Sequence, residues 1–207
     1  MNTRREPMEP YEVVVNKEYH LWKVATGDEF RPYTSAVLLT HDELGGAIAI
    51  VTNGFCIVTV PARWLGDREP VADVVIDVAC LKAAKGKPMT IDLDAKTTRV
   101  GTVQWDMPDC VFPAWRAVIP AAPYTEPRRM PQLSPDLLYA VWEATGGAWR
   151  ACPSEDARGP VIVYGEESMA FIQPKLVSAE PGELIGMTER LRLLSTPPVM
   201  ASEAVSV

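Results

Sequence analysis

Four cysteines, two histidines and several neighbouring carboxylates are the side chains in this 207-residue sequence whose types could support catalysis or metal binding. Cys56, Cys80, Cys110 and Cys152 lie 24, 30 and 42 residues apart. No close Cys pair or Cys/His cluster provides the short spacing of a tetrahedral zinc site. Without a signal-like leader, these cysteines read as reduced, mostly buried thiols rather than a disulfide or redox set. His20 has no motif around it. His41, in Thr40-His41-Asp42-Glu43 ahead of Gly45-Gly46, reads as a surface histidine in a turn. Asp92 and Asp94 alternate along Met89-Thr90-Ile91-Asp92-Leu93-Asp94 and so share the polar face of a strand, with Asp106 and Asp109 further on. A catalytic carboxylate pair needs shielding to set its two pKa values apart, and a solvated strand face gives none. The loops Gly-x-Gly-x-x-Gly and Gly-x-x-x-x-Gly-Lys-Ser/Thr are absent, as are Gly-x-Ser-x-Gly and His-Glu-x-x-His. No reaction, metal or cofactor is expected.

Binding chemistry is left. Lys82, Lys85 and Lys87 cluster on or beside one predicted helix, and Arg128 and Arg129 precede another. Such groups can touch phosphates without sequence preference, although a solvated helix face is the plainer reading of three lysines. A formal net charge of −7 argues against broad adhesion to nucleic acid. It leaves room for a protein that is acidic outside and locally basic. No apolar run approaches the ~20 residues that span a bilayer. Residues 1–10, with Arg4, Arg5, Glu6 and Glu9, lack the apolar core of a signal peptide. A cytoplasmic protein with no membrane partner is expected.

The elements that would position these groups follow from local patterns. Residues 1–10 read as a flexible arm. Glu12–Val15 and Leu21–Val24 read as short strands, and Ser35–Thr40 as a third. The clearest signal is Ala47–Val51, Thr52-Asn53-Gly54, Phe55–Val60: Asn-Gly supplies the positive φ of a tight hairpin, and β-branched residues flank it. Residues 61–70 read as a connector. Val74–Ile76 is a strand, Asp77 can cap a helix over Val78–Lys85, and Gly86 can end it. Met89–Asp94 alternates, Arg99–Trp105 is its expected partner, and Val111-Phe112 a third strand. Ser134-Pro135-Asp136 opens a second helix with Leu137, Leu138, Val141 and Trp142 on its apolar face, stopped by Gly146-Gly147. Pro160–Tyr164 and Met169–Ile172 read as a closing hairpin. Gly182–Leu194 can form a short amphipathic helix in a tail. Three blocks, near 11–62, 70–120 and 130–178, predict an α+β protein with antiparallel sheets.

At the midpoint stands Cys110-Val111-Phe112-Pro113-Ala114-Trp115-Arg116-Ala117-Val118-Ile119-Pro120. It is too apolar for a solvated linker and too rich in proline for a helix interior. It resembles the Arg-x-Val-x-Pro-like segment that joins the last two domains of the bacterial sliding clamp, the beta subunit of DNA polymerase III. The flanks resemble that family in order. Thr52-Asn53-Gly54 is similar to its Thr-Asp-Gly turn, and Val74–Lys85 to the strand and helix that follow. Phe171-Ile172-Gln173-Pro174-Lys175-Leu176 is similar to its C-terminal strand. Four landmarks match in order over 31–177.

The resemblance implies sliding-clamp-like half-domains, antiparallel sheets packed with a few short helices. A clamp-like domain would cover 11–120, with half-domains 11–62 and 70–120. An additional half-domain would cover 121–178, and a tail 179–207. It further implies a noncatalytic processivity or partner-docking factor of DNA replication or repair, with a pocket for short peptides of its partners. Thr52, Gly54, Phe55, Ile57, Pro120, Phe171, Gln173, Pro174 and Leu176 would be the pocket's counterparts. Phe55, Ile57 and Phe171 are equally readable as core residues at strand positions. DNA contact would fall to Lys82, Lys85, Lys87, Arg128 and Arg129, and encircling DNA would require self-association into a ring, since three half-domains cannot close around a duplex.

The chain also departs from the family. It is about half the usual clamp length, one half-domain is unaccounted for, and Phe55-Cys56-Ile57 stands where His-Arg-Leu is usual. A shortened or rebuilt clamp of the kind a phage or mobile element carries is therefore expected. The alternative is a phage-encoded inhibitor or adaptor that reuses the fold to dock on a host nucleoprotein or replication complex. Arg190-Leu191-Arg192-Leu193-Leu194 loosely resembles the partner peptides Gln-Leu-x-Leu-Phe, and would fill the protein's own pocket or that of another clamp. An amphipathic helix packed on the body explains its leucines as well.

Overall fold

A computed structural model describes residues 9–118, 133–147, 150–152 and 159–174. The strands are β1 (Tyr11–Val15), β2 (Ala36–His41), β3 (Ala47–Thr52), β4 (Cys56–Leu65), β5 (Val74–Asp77), β6 (Met89–Asp92), β7 (Thr97–Val100), β8 (Val103–Asp106), β9 (Arg150–Cys152), β10 (Val161–Tyr164) and β11 (Met169–Ile172). The helices are α1 (Val78–Ala84) and α2 (Pro135–Ala144). Every strand pairing is antiparallel. The expected α+β class with few short helices is what the chain forms.

β4 organises the rest. β3 runs along one edge, from Thr52↔Ile57 to Ile48↔Pro61. On the other edge the partner changes: Cys56 to Thr59 face β11, and Ala62 to Leu65 face β1. Pro61 sits at that change of partner, where the edge carries no ladder and a residue without an N–H is tolerated. For that reason the strand runs to Leu65, where the sequence had suggested a connector from Pro61. From β4 the sheet extends through β3 and β2 to β5, through β1 and β6 to β7 and β8, and through β11 and β10 to β9.

One face of this sheet packs on the two helices. Asp77 caps α1 by accepting a hydrogen bond from the Ala79 N–H at 2.7 Å, and Cys80, Leu81 and Ala84 are buried. Lys85 turns left-handed at φ 48° and Gly86 follows at φ 83°, so the helix ends at Ala84, one residue short of the expected Lys85. In α2, Pro135 starts the helix as expected, but the Ser134 side chain makes no cap bond. Val141 and Ala144 are the buried positions. Trp142, expected on the apolar face, remains 47% exposed.

Several sequence expectations are corrected. Leu21–Lys23 is a 3₁₀ turn, not a strand. Its buried residue Leu21 and the buried Val24 just after it are three apart, which is the 3₁₀ period and not the strand period of two. Both α1 and α2 pack on this turn. Arg99–Trp105 is two strands, because Gly101 at φ 59° opens a two-residue turn that sets Val100 opposite Val103. Val111-Phe112 forms no strand, and Trp115–Val118 is a 3₁₀ turn. β9 was not anticipated. The sheet's other face carries a second, smaller apolar cluster of Leu38, Ile50, Ile57, Trp115 and Phe171, with Phe112 packed against it. The midpoint segment is therefore a cover for that face.

Candidate partner-docking groove

The Thr52-Asn53-Gly54 turn is fixed by its own side chains. Thr52 Oγ1 donates to the Cys56 carbonyl at 2.7 Å and accepts from the Gly54 N–H at 3.1 Å. Asn53 Oδ1 accepts from the N–H groups of Phe55 and Cys56 at 2.9 and 3.0 Å. Gly54 adopts φ +85°, a left-handed conformation that β-branched and bulky residues avoid. This geometry pushes Phe55 outward, where it is 60% exposed. Its carbonyl accepts the Gln173 N–H at 2.9 Å, which ties the turn to the end of β11.

Between them lies a groove of about 260 Å³, lined by Thr52, Gly54, Phe55, Ile57, Phe171 and Gln173, with Cys56 also at the wall. Tyr33, Pro113 and Pro160 complete the lining. Six of the nine residues expected to line a pocket are thus brought together. Ile57 and Phe171 belong to the second apolar cluster, so they are groove floor and core residues at once. Pro174 is buried and lies outside the groove lining. Pro120 and Leu176 fall outside the described residues, as do Arg128, Arg129 and the leucine-rich tail. The volume is below the ~300–1,000 Å³ of a drug-sized pocket. It suits an anchoring side chain of a peptide better than a whole cofactor.

The rim was not legible from the sequence. Asp28 and Arg31 form an ion pair at 2.7 Å, and the Arg31 guanidinium stands 5.9 Å from the Phe55 ring centre. The hydrogen bond from Arg31, helped by the Phe30 N–H, holds the Asp28 carboxyl below its ordinary range. Arg31 and Tyr33 come from the loop before β2, and Pro113 from the midpoint cover. Sequence spacing alone does not bring these two segments and Pro160 together.

The other candidate residues are scattered over the described surface. Lys82, Lys85 and Lys87 are all exposed around the end of α1. Asp92 caps the turn after β6 by accepting from the Ala95 N–H at 2.8 Å, and Asp94 is exposed. His41 pairs with Glu69 at 2.9 Å. Burial pushes the Cys56 and Cys80 thiols up to about 12, and Asp77 adds to the effect on Cys80. Of Cys152 only the backbone is described. Among the described residues no group of three His, Cys, Asp or Glu could hold a metal ion. No described helix is long and apolar enough to cross a membrane.

Comparison of the whole chain with solved structures gives a consistent answer. The sliding clamp (DNA polymerase III subunit beta) of Bartonella birtlesii, bound to griselimycin, matches with a TM-score of 0.56 and 14% identity, over 86% of this chain and 68% of that one. The beta subunit of Thermotoga maritima matches with a TM-score of 0.58 and 13% identity, over the same shares. The fold is that of a sliding clamp. The clamp of Caulobacter crescentus matches at a TM-score of 0.57 and 12% identity, again over 86% of this chain. At these identities the likeness is one of fold. No protein-family model matches the sequence, and no curated protein does either. The resemblance inferred from four short landmarks is thus supported in three dimensions, and the order of those landmarks was the signal that carried it.

Proposed function

We propose that this chain is a noncatalytic, clamp-like docking protein of DNA replication or repair, which holds short peptides of partner proteins in the groove beside Gly54. One observation carries the reading. On a sliding-clamp fold, the hairpin turn and β11 come together around an apolar groove with an exposed phenylalanine at its lip. Such a groove offers apolar walls and a few fixed backbone groups, which is what an anchoring peptide side chain requires. We take 11–120 as the clamp-like domain with its two half-domains, and 121–178 as an additional half-domain. Lys82, Lys85 and Lys87 would meet DNA phosphates, and a ring would need several copies of the chain.

The test is a fluorescence-anisotropy titration of the full chain with a labelled Gln-Leu-x-Leu-Phe peptide. Saturable binding is expected, weakened about 10-fold by Phe55→Ala, as for an interface aromatic whose contact is worth more than ~1 kcal/mol. Phe55 is exposed, so its truncation leaves the fold intact. Absence of binding, or binding indifferent to Phe55→Ala, would remove the docking reading. Solution mass with and without primed circular DNA then separates two roles. A ring-sized oligomer retained on closed circles is a processivity factor. A monomer or dimer indifferent to DNA is an inhibitor or adaptor, of which phage origin would be one source.

A further inference from the structure

A second cleft lies elsewhere, where the loop after β1 meets the ends of α1 and α2. It measures about 650 Å³ and is mostly apolar, with Trp22 and Trp142 in its lining. Three of its lining rings, His20, Trp22 and Trp142, belong to two aromatic pairs. The His20 and Trp22 rings lie 4.8 Å apart, tilted by 31°. Trp142 is stacked on Tyr139, with centres 6.2 Å apart and planes 25° apart. At the C-terminal end of α2 the backbone passes close to an indole: a Cβ on Gly147, which has φ +103°, would lie 3.7 Å from Trp142 Cζ2. Despite these contacts Trp142 remains 47% exposed, a large apolar surface open on the cleft wall.

The charges around this cleft are unequal. Lys17, Lys85, Glu18 and Glu143 line it. Glu143 is already neutralised by Lys23 at 3.2 Å. Within this lining Lys17 and Lys85 therefore stand against Glu18, an excess of one positive charge, and both lysines also border an adjoining cleft that holds Arg63 and Glu167. The sequence had drawn attention to Lys85 but not to Lys17. The fold places Lys17 against the end of α1, where a Cβ on Gly86 would come within 3.0 Å of the Lys17 Cβ.

We propose that this cleft binds single-stranded nucleic acid, stacking an unpaired base on its aromatic lining while Lys17 and Lys85 engage the adjoining phosphates. Every base has a π-face, so aromatic stacking recognises single strands with little sequence preference. A duplex is excluded, because its bases are covered on both faces by their neighbours. A quaternary ammonium guest would also suit aromatic walls, but it would meet the two lysines with only Glu18 in its favour. Backbone-only contact with DNA, as the exposed lysines around α1 would give, needs none of these rings.

The experiment is an anisotropy titration of the full chain with fluorescein-labelled oligothymidylate, repeated with the same strand annealed to oligodeoxyadenylate. Tight binding of the single strand and weaker binding of the duplex are expected. Trp142→Ala should weaken single-strand binding about 5-fold or more, the low end for one stacked base. Trp142→Phe, which keeps a ring, should retain most of it and guards against misfolding, with circular dichroism as the check. Lys17→Ala and Lys85→Ala should each reduce the salt dependence by about one phosphate contact. Phe55→Ala should change nothing, so this site and the peptide groove succeed or fail separately. Equal affinity for both strands with no effect of Trp142→Ala overturns the proposal in favour of backbone contact. Binding of tetramethylammonium without binding of oligothymidylate overturns it in favour of a cation cage, and no saturable binding of either overturns it outright.

Discussion

Replacing Gly54 by alanine tests whether the turn that shapes the groove is held by backbone conformation or by its neighbours. Gly54 lies at φ +85°, and an added Cβ would approach Arg31 Nη1 to 2.8 Å and Tyr33 Oη to 4.0 Å. Two costs compete. Forcing an L-residue into the left-handed region costs about 1–2 kcal/mol. Displacing the guanidinium costs little, because its pair with Asp28 is exposed and screened by solvent. The first cost dominates, because Arg31 presents the far end of a flexible side chain and can swing aside. A loss of 1 kcal/mol lowers Tm by about 2–4 °C in a chain of this size, so Gly54→Ala should lower it by roughly 2–8 °C. Thermal melts followed by circular dichroism would be run in the wild-type and Arg31→Ala backgrounds. Backbone strain gives the same shift in both. A shift that disappears when Arg31 is removed would refute the reasoning and make the steric contact the cause.

Asp77→Ala should destabilise the fold by about 0.5–2 kcal/mol through loss of the α1 cap, read as a lower urea midpoint at unchanged slope. The Asp28 carboxyl titrates below its ordinary range when folded, so its contribution is present above the unfolded-state value and is lost as pH falls through the folded one. The acid limb of the stability curve should therefore be shallower in Asp28→Asn, and an unchanged limb would contradict the pairing with Arg31. In a Cys152→Ser background, Cys56 and Cys80 should resist a thiol reagent at pH 8. A thiol with a pKa of about 12 has a thiolate fraction on the order of 10⁻⁴ at that pH. Cys110, half-buried and raised less, should react first.

Local chemistry made much of this fold legible. The Asn53-Gly54 hairpin, the Asp77 cap and the alternation of Met89-Thr90-Ile91 are each specified within a few residues, and each forms where its residues suggested. Where the sequence misled, a distant partner had decided. Pro61 looked like a strand breaker because the change from β11 to β1 on the edge of β4 is invisible locally. Leu21–Val24 was read by β-propensity, while the spacing of its buried residues already favoured a 3₁₀ turn. The floor of the groove was foreseen through the order of the landmarks. Its rim, Arg31, Tyr33, Pro113 and Pro160, comes from three separate segments. The meeting of Lys17 with Lys85, and of Trp22 with Trp142, likewise has no signature in spacing.

The pairing of β11 with β4 has a temporal side. Thr59 waits for Met169, 110 residues further along. At a ribosomal pace of about 5–20 residues per second, that wait is on the order of 5–20 s. Throughout it, the Cys56–Thr59 edge of β4 lacks its ladder partner and the groove lacks a wall. Such an edge is a template for pairing with a second chain. If the groove docks peptides as proposed, a nascent chain is unable to recruit one until the β10–β11 hairpin has been made, and it is sticky in the meantime. A truncated chain ending at residue 168 should sediment as aggregates and fail to bind the Gln-Leu-x-Leu-Phe peptide; a soluble monomer that still bound it would show that the groove is complete without β11. Under that proposal, docking competence becomes a report that synthesis has passed the closing hairpin.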